Sequence, residues 1–105
     1  MPTGPSIDYK MSIVSGNYQT GPLDTQLANP LRIYVTNDAN VKQVAVVVTF
    51  KIVEGGGDLS ASSVVTDVDG FCEVYLTPTY VGGTIKVEAK VRYTDTIVTF
   101  TATGV

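Results

Sequence analysis

The chain holds one cysteine and no histidine. That removes the Ser-His and Cys-His nucleophilic pairs and most transition-metal sites. The residues left for chemistry are Cys72, a set of aspartates and several outward aromatics. Cys72 sits in Phe71-Cys72-Glu73-Val74-Tyr75-Leu76. If Val74 and Leu76 face a core, the period of two places Cys72 there too. Neither a cationic neighbour nor a helix start lowers its pKa, so it reads as a small buried hydrophobe rather than a reactive thiol. Asp67-Val68-Asp69-Gly70 opens like a calcium loop, with Asp58 or Asp95 as further candidates. It lacks the later ligands and the distal Glu that such a loop needs. Asp first and Gly fourth are also what a β-turn favours, and the turn is the preferred reading. A paired-carboxylate glycosidase needs one acid in an apolar pocket, and these aspartates fall in loops. No catalytic, cofactor-binding or metal-holding residue is therefore assigned, and the chain does not read as an enzyme.

Tyr34, Phe71 and Tyr75 form the remaining candidate site, a surface contact patch. Leu31, Ile33 and Val35 point one way, while Arg32, Tyr34 and Thr36 point the other. On the stretch Phe71 to Thr77, Phe71 and Tyr75 face out in the same manner. If the two strands are neighbours, the three rings meet on one face, with Arg32 and Glu73 able to pair beside them. Ordinary β-propensity of aromatics also accounts for them.

The elements that would position these residues are all strands. Asp8–Val14, Leu31–Asn37, Val44–Val53, Phe71–Thr77, Thr84–Val91 and Ile97–Thr103 read as strands, with short edge pieces at 59–61 and 63–66. Val46, Val48, Phe50 and Ile52 form an inward set. Pro30 suits a strand start. Asn37-Asp38-Ala39-Asn40 and Asp67–Gly70 are turns, and Gly55-Gly56-Gly57 is a flexible turn rather than a phosphate loop, because no helix follows. The segment from Gly21 to Asn29 is a connection along a sheet edge. Residues 9–14 and 97–103 are expected near sheet edges, where they could pair with another chain. Seven to eight antiparallel strands separated by Gly, Pro, Asn and Asp predict an all-β sandwich with Greek-key wiring.

The bounds agree. At 105 residues, 44% hydrophobic and 16% charged, the chain fits one folded domain. We expect a flexible lead-in over residues 1–8 and the domain over 9–105. A net charge of −3 with scattered Lys and Arg gives nucleic acid no basic patch to bind. No apolar run is long enough to span a bilayer. Met1-Pro2-Thr3-Gly4-Pro5 leads into no apolar stretch of the export-leader kind. That implies a piece of a longer exported chain, or one that is intracellular or virion-borne. A single cysteine excludes an internal disulfide.

An ordered series of short pieces resembles the bacterial Ig-like Big-1 family, the repeat of invasin- and intimin-type adhesins. The pieces are Ser15-Gly16-Asn17 with Gln19-Thr20, then Leu27-Ala28-Asn29-Pro30-Leu31, then Val48-Thr49-Phe50 before Gly55-Gly56-Gly57. Leu59-Ser60, Thr66-Asp67 with Gly70, and Val98-Thr99-Phe100-Thr101-Ala102 follow. Lys42-Gln43-Val44-Ala45 departs from the family's Pro-Val-x-Gly turn and gives up the positive φ open to Gly. Leu76-Thr77-Pro78-Thr79-Tyr80 replaces a Thr-Leu-Gly. The resemblance implies an Ig-like sandwich and a non-catalytic, cofactor-free module of a bacterial or phage surface protein. Such a module acts as a spacer or an adhesion domain at the cell surface, or alternatively on a virion. Its implied partners are neighbouring Ig-like modules, a host-surface protein or a glycan. The alternative is a carbohydrate-binding accessory module of an exported enzyme, with Tyr34, Phe71 and Tyr75 stacking on sugar.

Overall fold

Alternation of apolar and polar side chains dictates sheets with one dry face, and two such faces must cover each other. The computed structural model describes residues 8–79 and 83–105. Its strands are β1 (Tyr9–Ser15), β2 (Gln19–Gly21), β3 (Leu31–Asn37), β4 (Val47–Glu54), β5 (Gly57–Leu59), β6 (Ser63–Val65), β7 (Phe71–Val74), β8 (Leu76–Pro78), β9 (Thr84–Val91) and β10 (Ile97–Gly104). One sheet has the order β1-β3-β7, with β5-β8 paired separately, and the other has the order β2-β10-β9-β4-β6. All pairings are antiparallel except β2 with β10, which is parallel. Apart from Asp8, the lead-in expected over 1–8 lies outside the described residues, as does Tyr80.

The core lies between the sheets. Leu31, Ile33 and Val35 of β3 and Val48 and Phe50 of β4 are buried as the alternation requires, with Val46 and Ile52 packed against them. Phe100 of β10 and Ile85 and Val87 of β9 complete the opposite wall.

Several boundaries differ from expectation, each for a physical reason. The strand expected from Val44 starts at Val47, because Ala45 takes a φ of 61° and turns the chain. The stretch 71–77 is not continuous. It breaks at Tyr75, whose N–H donates to Ser60 Oγ at 2.8 Å and whose carbonyl accepts from the Ser60 N–H at 2.9 Å. Residues 97–103 were expected near an edge, but β10 lies between β9 and β2. The three-residue β2 is too short to leave a period in the sequence.

The crossover from β1 to β2 explains the polar residues that precede β3. The chain leaves one sheet after Ser15 and joins the other at Gln19. Gly16 makes the bend with φ +92°, and a Cβ there would stand 2.2 Å from the Pro30 carbonyl oxygen. Asn17 Oδ1 accepts from the Thr101 N–H at 2.8 Å, fixing the crossover to β10. The Gln19 amide donates to the carbonyls of Gly16 and Asn29 and accepts from the Asn29 N–H. Ser15-Gly16-Asn17 with Gln19 is thus a fastener between sheets. The connection from Gly21 to Asn29 runs beside β8, where the Asp24 and Leu27 N–H groups reach the Pro78 and Leu76 carbonyls.

Because β1 starts beside the end of β3 and β10 ends beside the start of β9, Tyr9 and Gly104 lie at opposite ends of the molecule. The molecule measures 50 × 27 × 18 Å. Its radius of gyration of 14.6 Å exceeds the ~13 Å of a round domain of this length, so the body is elongated.

Candidate functional site

The outer face of β1-β3-β7 carries the expected patch. Tyr34 stands directly opposite Phe71, and Arg32 opposite Glu73. The two rings lie 4.9 Å apart at 33°. The Arg32 guanidinium sits 4.4 Å over the Phe71 ring and binds Glu73 Oε1 at 2.5 Å. Both charged side chains are about one-third exposed (33% and 35%), so the ion pair contributes about 0–1 kcal/mol, with a similar amount from the cation–π contact. Gly70 lets Tyr34 close down: a Cβ there would lie 3.1 Å from Tyr34 Cε1.

Two of the three candidate residues therefore meet, and Tyr75 does not join them. It stands four residues beyond Phe71, about 13 Å along the strand direction, on the far side of Glu73. The ring of Phe71 is engaged by Arg32 and Tyr34. The face is a self-contained cross-strand cluster more than an open aromatic platform.

Asp67, Thr66 and Gly70 form a structural unit. The Asp67 carboxylate accepts the N–H groups of Asp69 at 2.9 Å and Phe71 at 3.0 Å, and its carbonyl accepts from Gly70. The Phe71 bond, then the Asp69 bond, hold the Asp67 carboxyl below the usual range. Thr66 is buried; its hydroxyl donates to the Gln43 carbonyl at 2.7 Å and accepts from the Val46 N–H at 2.9 Å. Gly70 takes φ +85°. The Thr-Asp-x-x-Gly pattern is a clasp between the β6–β7 turn and the loop before β4. Asp69 pairs with Lys42 at 3.5 Å on the surface. Cys72 is buried opposite Ile33, and burial pushes its thiol up to about 12, with Asp67 adding to the rise.

A second surface was missed by pattern reading. An open groove of about 280 Å³ at the end where β1 begins is lined by Tyr9, Gln43 to Val47, Val91, Arg92 and Tyr93. Tyr93 is 89% exposed at φ 66°, with Arg92 4.9 Å over its ring. The sequence carries no signal for it, because the left-handed turn position of Tyr93, one that favours Gly or Asn, shows only in the backbone.

No family model matches the chain, and no curated protein sequence matches it. Solved structures do. The D00-D0 domain of intimin superposes with a TM-score of 0.66 at 23% identity over 91% of this chain and 44% of that one. This is the Ig-like fold. The Ig-like sandwich recurs in the D0-D1 domain of intimin, with a TM-score of 0.65 at 23% identity over 91% of this chain and 45% of the other. It recurs again in domains 4 and 5 of the S-layer protein SbsC, with a TM-score of 0.65 at 13% identity over 97% of this chain and 54% of that one. The chain spans about half the length of each structure it matches.

Proposed function

We propose that this chain is a non-catalytic Ig-like module of a bacterial surface protein, holding neighbouring parts apart in a fixed order. The observation that carries this reading is geometric: the chain enters at Tyr9, bonded to Thr96 at the start of β10, and leaves at Gly104 at the other end of that strand, so entry and exit lie at opposite ends of the sandwich. The structural likenesses support it, since each matching structure comes from intimin or an S-layer protein and is about twice this length. The alternative, a sugar-binding accessory module, draws less support. The ring of Phe71 is engaged by Arg32 and Tyr34, and Tyr75 stands apart.

A distance measurement between spin labels placed near residues 8 and 105 tests the spacer reading. A rigid module gives a narrow distribution at about 30 Å, because Thr96 bonds the Tyr9 carbonyl and the eight residues of β10 run from there to Gly104 at about 3.3 Å each. A flexible linker of the same length would show a broad distribution with a mean of about 50–60 Å. A broad distribution overturns the reading. Glycan titration tests the alternative: binding that is lost in Tyr75→Ala would favour it over the spacer.

A further inference from the structure

We propose that the free edge of β1 pairs with the same edge of a second copy of this chain, antiparallel and centred on Ser12. The main-chain bonds of β3 show which groups of β1 are open. The Val35 N–H donates to the Gly70 carbonyl on the β7 side, and the Val35 carbonyl accepts from the Gln43 N–H. Successive residues of a strand turn their main-chain groups to opposite sides, so Tyr34 and Thr36 are the ones that bond β1. Their partners there are Ser12 and Lys10. Tyr9, Met11 and Ile13 therefore turn their N–H and C=O groups away from β3. The Tyr9 carbonyl bears this out, because it accepts from the Thr96 hydroxyl at 3.1 Å. Among the described residues, no partner takes up the main-chain groups of Met11 or Ile13 on that side.

Length sets this edge apart. A row of unpaired main-chain groups invites another strand, and proteins blunt it with very short strands, charges, Pro or bulges. The other edge strands of the two large sheets are short: β7 has 4 residues, β2 has 3 and β6 has 3, whereas β1 has 7. The bulge of β1 lies at Val14, beyond the open groups. Its only charge, Lys10, stands off the centre of the strand. The outward side chain at the centre is Ser12, small and uncharged.

Register and area decide the occupant. The open window runs only from Met11 to Ile13. The Thr96 hydroxyl caps the strand at Tyr9, and Gly16 bends it away to β2 at the other end. A strand that ran on past the window would meet both blocks. A second copy has a strand that stops where the blocks begin. With a two-fold axis at Ser12, Met11 stands opposite Ile13 of the second copy, and each such pair exchanges both N–H···O bonds. The capped end of each strand then faces the bent end of the other. Lys10 lies opposite Val14 of the second copy, so no like charges meet. The narrow side that carries β1 measures at most 50 × 18 Å, so two such sides in contact hide up to about 1,800 Å². Stable complexes of free proteins bury ~1,200–2,000 Å². The ends, at 27 × 18 Å, would hide at most about 1,000 Å². The paired copies run in opposite directions. Under the spacer reading, on which this step alone rests, that orientation suits modules carried by two facing surfaces.

Sedimentation equilibrium of the full chain, up to about 1 mM, tests the pairing, with half-association expected at about 100 μM or below. Ser12→Lys sets two ammonium groups opposite each other, with Lys10 of each copy beside them. It should weaken association about fivefold or more. It should leave the Tm of the dilute chain unchanged, because Ser12 is exposed, so a lost contact is separable from failed folding. Ser12→Cys should oxidise to a covalent dimer, since directly opposite residues of this kind lie ~4.5 Å apart between Cα atoms, within disulfide range. Lys10→Cys is as exposed but should not, because its copy would stand about 14 Å away along the strands. Cys72 is buried and adds no background. A chain that stays monomeric throughout overturns the inference. So does a dimer that Ser12→Lys leaves intact, or equal cross-linking of the two cysteine variants. A monomer with a narrow end-to-end distance would sink the pairing and leave the spacer; a β1-paired dimer with a broad distance would uphold the pairing and sink the spacer.

Discussion

Ala45 adopts a left-handed φ of 61° without the freedom of glycine. Its N–H bonds the Thr66 carbonyl at 3.1 Å, so the loop keeps the turn although the residue resists it. Left-handed backbone costs an L-residue roughly 1–2 kcal/mol, and glycine gives back part of that through its freer unfolded state. Ala45→Gly is therefore expected to stabilise the chain by about 0.5–1 kcal/mol, seen as a higher denaturant midpoint at unchanged slope. Asp67 makes a pH prediction. Its folded pKa lies below the unfolded one, so its contribution is full above the ordinary carboxylate range and is lost as pH falls through the folded pKa. Asp67→Ala should lower stability at neutral pH and should converge with the parent chain in strong acid, as followed by urea unfolding across pH. Parallel curves down to strong acid would show that the carboxylate does not hold the turn. Cys72, buried and pushed up to about 12, should resist thiol reagents at pH 8 until the chain is unfolded.

At the scale of elements, two polar clasps hold the sandwich, one at the β1–β2 crossover and one before β4. Thr66→Val keeps the shape of the second clasp and removes its hydroxyl. The Val46 N–H and Gln43 carbonyl then lose their partner, at a cost of about 1–3 kcal/mol. A stability unchanged within about 0.5 kcal/mol would show that water replaces the hydroxyl. The inward faces of β3 and β4 were legible in the sequence because burial imposes a period of two. The pairing of Tyr34 with Phe71 was legible too, since the fold class places those strands side by side. The role of Asn17, Gln19 and Thr66 was not. Apart from local bonds such as that of Gln19 to Gly16, their partners lie 10 to 84 residues away, and no local pattern encodes such bonds. Nor was the Tyr93 surface, because solvent exposure at a hairpin tip leaves no periodic trace.

For the whole molecule, the positions of the ends determine how it would carry load. Tension applied ahead of Tyr9 and beyond Gly104 pulls β1 along β3, and β2 along the parallel β10. Both pairs are sheared along their length, so their hydrogen bonds share the load instead of opening one by one. The β2–β10 contact is short, with three paired residues, but it is extended at one end by the Asn17 bond to the Thr101 N–H and the Tyr18 bond to the Thr101 carbonyl, and at the other by Val105 to Gly21. Forced unfolding is governed by the unfolding barrier and so by bonds that have already broken at that barrier. Asn17→Ala is expected to lower the force at which the chain yields in single-molecule pulling from its ends. Substitutions on the outer face of the large sheet, such as Lys51→Ser, should leave that force unchanged. An equal force for Asn17→Ala and the parent chain would place the mechanical barrier elsewhere, with β1–β3 as the next contact along the line of tension.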